Sequence, residues 1–307
     1  PYFVMIFGFV TNSSLFWVFW VLMGFGMAGI GMAVMHDGNH NSFSNKKYIN
    51  KIMGSSLYFL GGTSKIWKIQ HNRLHHTYTN MMGHDPDVSP IKLLRFSPDA
   101  PYKKIYRFQF IYAWFLYGLM TFSFATIKEF KQLIEWSKNE IITAIQFRQL
   151  MLELIIWKIM YYFFILIIPI LVLNISFLEW FSLFFLMHFV AGFVLAIVFQ
   201  TAHIMPDCKH LKYSKKLDLN TWAVNQLLTT SNYSPNNKLF SWLIGGLNYQ
   251  IEHHLFPGIC HVHYEKISPI VRKVASDYNL PYHYKKNFLQ AIIAHGKMLY
   301  YLGQVPK

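Results

Sequence analysis

Residues 15–40 read LFWVFWVLMGFGMAGIGMAVM-HDGNH. The run from Leu15 to Met35 carries no formal charge. At about 1.5 Å per residue it is long enough to cross a hydrocarbon core of about 30 Å. The small residues Gly24, Gly26, Ala28, Gly29 and Gly31 predict close helix–helix contacts. His36 and His40 follow at once, four residues apart, which is about one turn of a helix. A membrane helix that ends in imidazoles is therefore the unit around which the chain is organised. Before it lie an apolar run, Tyr2 to Val10, and a polar turn, Thr11 to Ser14. The pair reads as a hairpin whose first arm is short. Neither Met nor a basic segment opens the chain, which suggests a cut start rather than a signal peptide.

The wider composition agrees. Of 307 residues, 53% are hydrophobic, 18% aromatic and only 14% charged, where a soluble domain carries about 25% charge. No linker divides the chain, so a single domain, 1–307, is expected. It comprises a membrane hairpin (1–35), a cytoplasmic or interfacial region (36–150), a second hairpin (151–199) and a cytoplasmic region (200–307). The second hairpin rests on Leu154–Leu173 and Trp180–Phe199, joined at Asn174–Ser176, with Lys158 placed to snorkel. Helical runs are predicted near Trp222–Leu228 and Tyr264–Tyr278, and a basic amphipathic segment at Lys128–Arg148. The fold class that follows is an all-α polytopic membrane protein. About four helices cross, the first cut short, under a cytoplasmic helical cap.

All 28 Lys and Arg fall within 36–158 or 200–307. By the bias of basic loops towards the cytoplasm, those regions share the cytoplasmic face. The net charge of +14 is spread through an apolar, interrupted chain, which argues against nucleic acid. It suits membrane lipid head groups, an acyl-carrier phosphate or an acidic redox partner. Cys208 and Cys260 form no CxxC pair and read as free thiols.

Three further imidazole clusters join the first. His71-Asn72-Arg73-Leu74-His75-His76 places His71 and His75 on one helical face, with His76 offset by roughly 140°. His203 sits where the last apolar run ends, preceded by Gln200, and Gln250-Ile251-Glu252-His253-His254 lies downstream. Eight imidazoles suit two metal ions with open positions. The several carboxylates of a bundle-type di-iron site are absent, since only Asp37 and Glu252 lie in the clusters. Zinc fits the donor type but usually takes three protein ligands. Three apolar candidates separate His76 from Gln250. An odd number of crossings would put the clusters on opposite faces, so one candidate does not cross. Phe108–Ile127, flanked by basic residues, is the one expected along the interface. Of the other histidines, His188 is expected packed within its helix, His84 in a loop, and His210, His261, His263, His283 and His295 at the surface.

HDGNH, HNRLHH and QIEHH, in this order and spacing, resemble the three histidine boxes of membrane fatty acid desaturases. The likeness continues through HHTYTN (75–80), GHDPD (83–87) and WLIGGLNYQIEHHLFPGICHVHY (242–264). It covers nearly the whole chain. Gln250 at the head of the third box resembles the front-end branch, whose members act between an existing double bond and the carboxyl end, linoleoyl-type enzymes among them. The resemblance implies a non-haem di-iron centre using O2 and two external electrons. It implies His36, His40, His71, His75, His76, His203, His253 and His254 as iron ligands, with Gln250 a weaker or water-mediated ninth. Asp37, Gln200 and Asn248 would orient imidazoles. No catalytic side chain beyond the metal centre is implied. The substrate would be a fatty acyl group linked to CoA, a carrier or a lipid, and the electrons would come from a ferredoxin or cytochrome. A lipid hydroxylase or ketolase, or a sphingolipid desaturase, shares the same scaffold. A membrane metal carrier is the remaining alternative, disfavoured because the imidazoles gather at one face rather than lining a path.

Overall fold

A computed structural model describes residues 1–9, 13–88, 92–213 and 219–304. The chain is helical nearly throughout. In order, the elements are α1 (Tyr2–Ile6), α2 (Ser14–His40), α3 (Lys47–Ser55), α4 (64–78), α5 (Lys104–Lys138), α6 (Ala144–Leu173) and α7 (Phe177–His203). Then come α8 (Leu219–Thr229), α9 (Lys238–Leu243), α10 (Gln250–Leu255), α11 (Tyr264–Asp277) and α12 (Phe288–Leu302). Asn232–Tyr233 and Tyr284–Lys285 add a two-residue parallel ladder that ties the last third of the chain to itself. The turn expected at 11–14 falls mostly outside the described residues.

Four helices are long and apolar enough to cross a membrane: α2, α5, α6 and α7. The set differs from the expectation in one member. The N-terminal arm is a short helix, α1, tied to the end of α6 by the Tyr2 hydroxyl donating to the Phe164 carbonyl. In its place α5 qualifies by length and composition, since Gln109–Ser123 and its flanks form one continuous helix.

Glycines set how these helices pack. A Cβ at Gly24 would stand 2.6 Å from the Met187 carbonyl oxygen, and one at Gly31 3.4 Å from Leu195. These contacts run α2 and α7 in parallel, so both deliver their C-terminal histidines to the same end. Gly26 and Gly29 meet nothing, so only part of the small-residue run serves packing. Helix α5 runs antiparallel to α7, with Phe115 on Phe189, Phe122 on Phe185, and Gly118 against Gly192.

Both ends of α5 meet the histidine-bearing end of the bundle. Near its start, Gln109 donates to the Leu299 carbonyl, and Ala113 packs with Ile197 and Ile204 just beside His203. Near its finish, Gln132 donates to Gln70, and Leu133 and Trp136 pack on Ile66 and Leu74 of α4. The wide π-helical turn at Phe124–Lys128 lies between. The expected basic segment 128–148 is thus the end of α5, a tight turn, and the start of α6. Thr143 and Gln146 form a reciprocal capping box there.

Two single-residue expectations change. Lys158 does not snorkel: it is buried, 3.0 Å from Glu129, and donates to the Gly61 and Phe124 carbonyls. The carbonyls of a glycine turn and a widened helix supply acceptors that lipid head groups would otherwise provide. His295 is fully buried rather than superficial. It bridges the Tyr117 hydroxyl (2.7 Å) and the Ile204 carbonyl (2.9 Å) and so holds α12 against α5 and α7. His188 is packed as expected, between Tyr161 and Thr121.

Candidate metal centre

The first and second boxes share a backbone device. Ile30–Met35, just ahead of His36, and Ile69–His75 are π-helical. Such turns are uncommon and gather at functional sites. Because each turn closes at the fifth residue rather than the fourth, positions five apart come to lie nearly in line. His76 therefore swings onto the side of His71, with 3.2 Å between their Nε2 atoms. The offset of roughly 140° expected for an α-helix is reduced enough for the two rings to meet.

The chain folds back some 180 residues to complete the set. Helix α10 brings His253 Nε2 to 3.1 Å from His76 Nε2. Two principal groups result. His36, His40, His71 and His253 have ligating nitrogens within 4.8 Å of one another, and so have His75, His203 and His254. His76 adjoins the first through His71 and His253, and it also groups with His253 and His254. The adjacent pair His75–His76 is thus divided between the groups, as is His253–His254.

These donors fit metal ions. Two nitrogens, each about 2.1 Å from one ion and at angles of roughly 90–110°, stand about 3.0–3.4 Å apart, matching the His71–His76–His253 contacts. Nε2 of His36, His40 and His254, with Nδ1 of His203, are buried and have no partner among the described residues. Unpartnered buried nitrogens on this scale are costly unless something binds them. Burial, followed by the neighbouring imidazoles, holds His71, His76, His253 and His254 well below the usual histidine range. They are neutral at physiological pH, with lone pairs free for a cation.

Several groups behind the rings orient them. His75 Nδ1 lies 3.1 Å from both Asp85 carboxylate oxygens and 3.4 Å from Asp87 Oδ2. Burial pulls His75 down, but Asp85 and Asp87 outweigh it and push it up to about 9. Without a metal the ring is therefore a cation at physiological pH; its Nδ1 proton points at the carboxylates, and Nε2, on the far side of the ring, must give up its proton to bind a metal. Asp85 is itself held by the Asn80 and Asp87 amides, at 2.9 Å each. His254 Nδ1 donates to Gln226 Oε1 at 2.8 Å, while Gln226 and Trp222 both donate to the His76 carbonyl. Tyr264 hydroxyl stands 3.3 Å from His253 Nδ1. Asp85, Gln226 and Tyr264 were not singled out from sequence. The one signal lay in GHDPD and HVHY, which sit beside the boxes.

The remaining expected residues are placed unevenly. Gln250 touches the His203 ring, Nε2 to Nε2 at 3.0 Å. Because an amide's two ends are assigned by their surroundings, turning it lets Oε1 accept from His203. Asp37 contacts His36 at 3.6 Å, but its stronger bond is to His261 at 2.7 Å, which brings His261 in from the surface. Asn248 lies apart from the imidazoles: its amide donates to the Ser234 carbonyl and Ser241 hydroxyl and braces the loop before α10. Gln200 makes no side-chain bond to an imidazole among the described residues. It lines a cavity instead. His84 stacks on Tyr213 outside both groups.

That cavity, of about 140 Å³, is lined by residues of α2, α4, α5 and α7, His71 among them. Met27, Gly31, Thr121, Ala191 and Leu195 line its apolar length, and Gln70, Asp87, Lys128 and Gln200 its polar side.

The family model of fatty acid desaturases matches residues 12–286. The chain is 34% identical over 277 residues to the sn-1 linoleoyl-lipid 6-desaturase of Arthrospira platensis, covering 90% of this chain and 74% of that protein. It is 31% identical over 288 residues to the protein of the same name from Synechocystis sp., covering 92% and 79%. It is 34% identical over 287 residues to the acyl-lipid (8-3)-desaturase of Physcomitrium patens, covering 92% and 59%.

Proposed function

Since the chain belongs to the fatty acid desaturase family, we propose that it is a front-end acyl-lipid desaturase working through two irons held by the eight box histidines. The observation that carries this is the convergence of His36, His40, His71, His76 and His253 on one side and His75, His203 and His254 on the other. Neutral imidazoles suit iron, and two groups suit two ions. Iron held there would supply the oxidation, in which O2, two external electrons and two protons take two hydrogens from an unactivated chain and end as two waters.

The protein's own part is to bind, orient and exclude water. Asp85 and Gln226 hold the Nδ1 protons of His75 and His254, so Nε2 is the nitrogen that each ring offers to a metal. Met27, Ala191 and Leu195 offer an apolar slot that accepts methylenes and shuts out solvent beside His71. No side chain is needed to take a proton from the acyl chain. Electrons come from a ferredoxin or cytochrome.

The helices α2, α6 and α7 cross the bilayer, while α5, one continuous helix whose two ends both meet the histidine-bearing cap, does not cross it. An even number of crossings then separates His76 from His253, as their contact requires. The basic residues of the cap support a cytoplasmic location for it. Linoleate fed to a host expressing the full chain, with positional mass spectrometry of the lipids, tests the reading. The expected product has lost two hydrogens on the carboxyl side of the existing double bond, and His76→Ala yields none. A product that has gained oxygen, or purified protein holding zinc without iron, refutes it.

A further inference from the structure

The cavity beside His71 carries one feature that apolar chain binding does not explain. Lys128 lines it, on the π-helical turn of α5, and its side chain is only partly exposed. Among the described residues its ammonium has no ion pair within 4.0 Å, and the contact it makes is with the Phe124 ring, 5.4 Å from Nζ to the centroid. The neighbouring carboxylates are engaged elsewhere. Asp87 Oδ1 accepts from Gln70 at 3.0 Å, and Oδ2 faces His75 at 3.4 Å. Glu129 pairs with Lys158 and accepts from both the amide and hydroxyl of Thr63. Lysine this withdrawn from water normally has a partner, and a lysine present only for topology stretches its head into solvent. This one lines the same cavity as His71, Met27 and Ala191.

Resting on the acyl-site reading above, we propose that Lys128 binds the oxygen-bearing head of the acyl substrate, either the ester or thioester carbonyl or the phosphate beyond it. The chain then runs from Lys128 past His71 into the slot between α2 and α7. A chain held by its head is measured from that end. Front-end desaturation requires such measurement, because the new double bond is counted from the carboxyl group. The Phe124 ring lies 5.4 Å from the ammonium, and Lys158 cannot substitute because Glu129 and two carbonyls occupy it.

The test is equilibrium binding to the purified full chain in detergent, by displacement of a fluorescent acyl probe. Three ligands are compared: linoleoyl-CoA, dilinoleoyl-phosphatidylcholine, and heptadecadiene, which has the same chain without a head. Lys128→Met is expected to weaken at least one headed ligand about tenfold or more, the scale of a lost charged hydrogen bond. Heptadecadiene should shift less than about twofold on that scale, and Lys128→Arg should retain most of the affinity. Loss confined to linoleoyl-CoA assigns the contact to a thioester or its phosphates; loss confined to phosphatidylcholine assigns it to a lipid ester. Equal loss for all three ligands means lost packing and overturns the proposal, as does no loss for either headed ligand. If the unchanged chain binds none of the three and forms no product from linoleate, the acyl-site reading itself fails. Should Lys128→Met melt at a lower temperature, Lys128→Gln replaces it. In fed cells, a displaced double bond in the Lys128→Met product would further support the proposal.

Discussion

Replacing Asp85 with Asn tests how the two imidazole groups are held. The substitution keeps the side-chain volume but removes an acceptor. In the folded chain Oδ1 accepts from the Asp87 amide and Oδ2 from the Asn80 amide, each at 2.9 Å, and both oxygens stand 3.1 Å from His75 Nδ1. An amide has one oxygen. Whichever way it turns, one buried backbone N–H faces an NH2, at a cost of about 1–3 kcal/mol. His75 also loses the charge that keeps its proton on Nδ1. Removing such an orienting group typically costs about 10–100-fold in metal affinity. The loss should fall on the His75, His203 and His254 group, because His36, His40, His71 and His253 make no contact with Asp85. Iron is measured against protein after dialysis at graded chelator strength. Where the unchanged chain holds about two irons, Asp85→Asn should hold about one. If Asp85→Asn keeps both as firmly as the unchanged chain, Asp85 does not orient a ligand. If both leave together while the melting temperature is unchanged, the two groups are not separate sites.

Three other outcomes are expected. Lys158→Met leaves Glu129 buried without its cation, which should destabilise the fold by about 3–5 kcal/mol, while Lys158→Met with Glu129→Gln should recover part of this in detergent melts. Gly192→Leu places a Cβ 2.6 Å from the Gly118 carbonyl, so the α5–α7 crossing must spread, costing about 1–3 kcal/mol by the same assay. For His261, burial lowers its affinity for a proton, but the Asp37 bond outweighs it and raises the group to about 9. A raised value means that the pair's stabilisation is fully present below the unfolded histidine range near 6.5. It is then lost as pH rises through about 9. Melting temperatures between pH 6 and 10 should show that decline, and His261→Gln should flatten it; an unchanged slope would mean Asp37 and His261 do not share a proton.

Much of the site was legible because its chemistry is local. Imidazoles four and five residues apart, placed where apolar runs end, announce ligands and the end of the bundle on which they lie. The parity of apolar runs between His76 and Gln250 also required one run not to cross if the clusters were to meet. Other features were hidden for physical reasons. No residue between Ile69 and His75 signals a π-helical turn, since that geometry is stabilised by what the segment packs against. Lys158 looked like a snorkelling residue because its partner, Glu129, lies 29 positions away on another helix. His295 looked superficial because its run is amphipathic, and only the Tyr117 and Ile204 contacts bury it.

By itself, then, the sequence determined the membrane class, the eight candidate ligands and the face they share, since side-chain chemistry and the length of apolar runs are properties of neighbours along the chain. The tertiary structure decided which imidazoles stand together. His71 meets His76 through a widened turn, and His76 meets His253 only after the chain has turned back on itself. It also decided which carboxylate serves which ring, giving Asp85 to His75 and Asp37 to His261. Hydrogen bonds and metal sites depend on distances of a few ångströms between residues far apart in order, and only the packing of α2 against α7 and of α10 against α4 sets those distances.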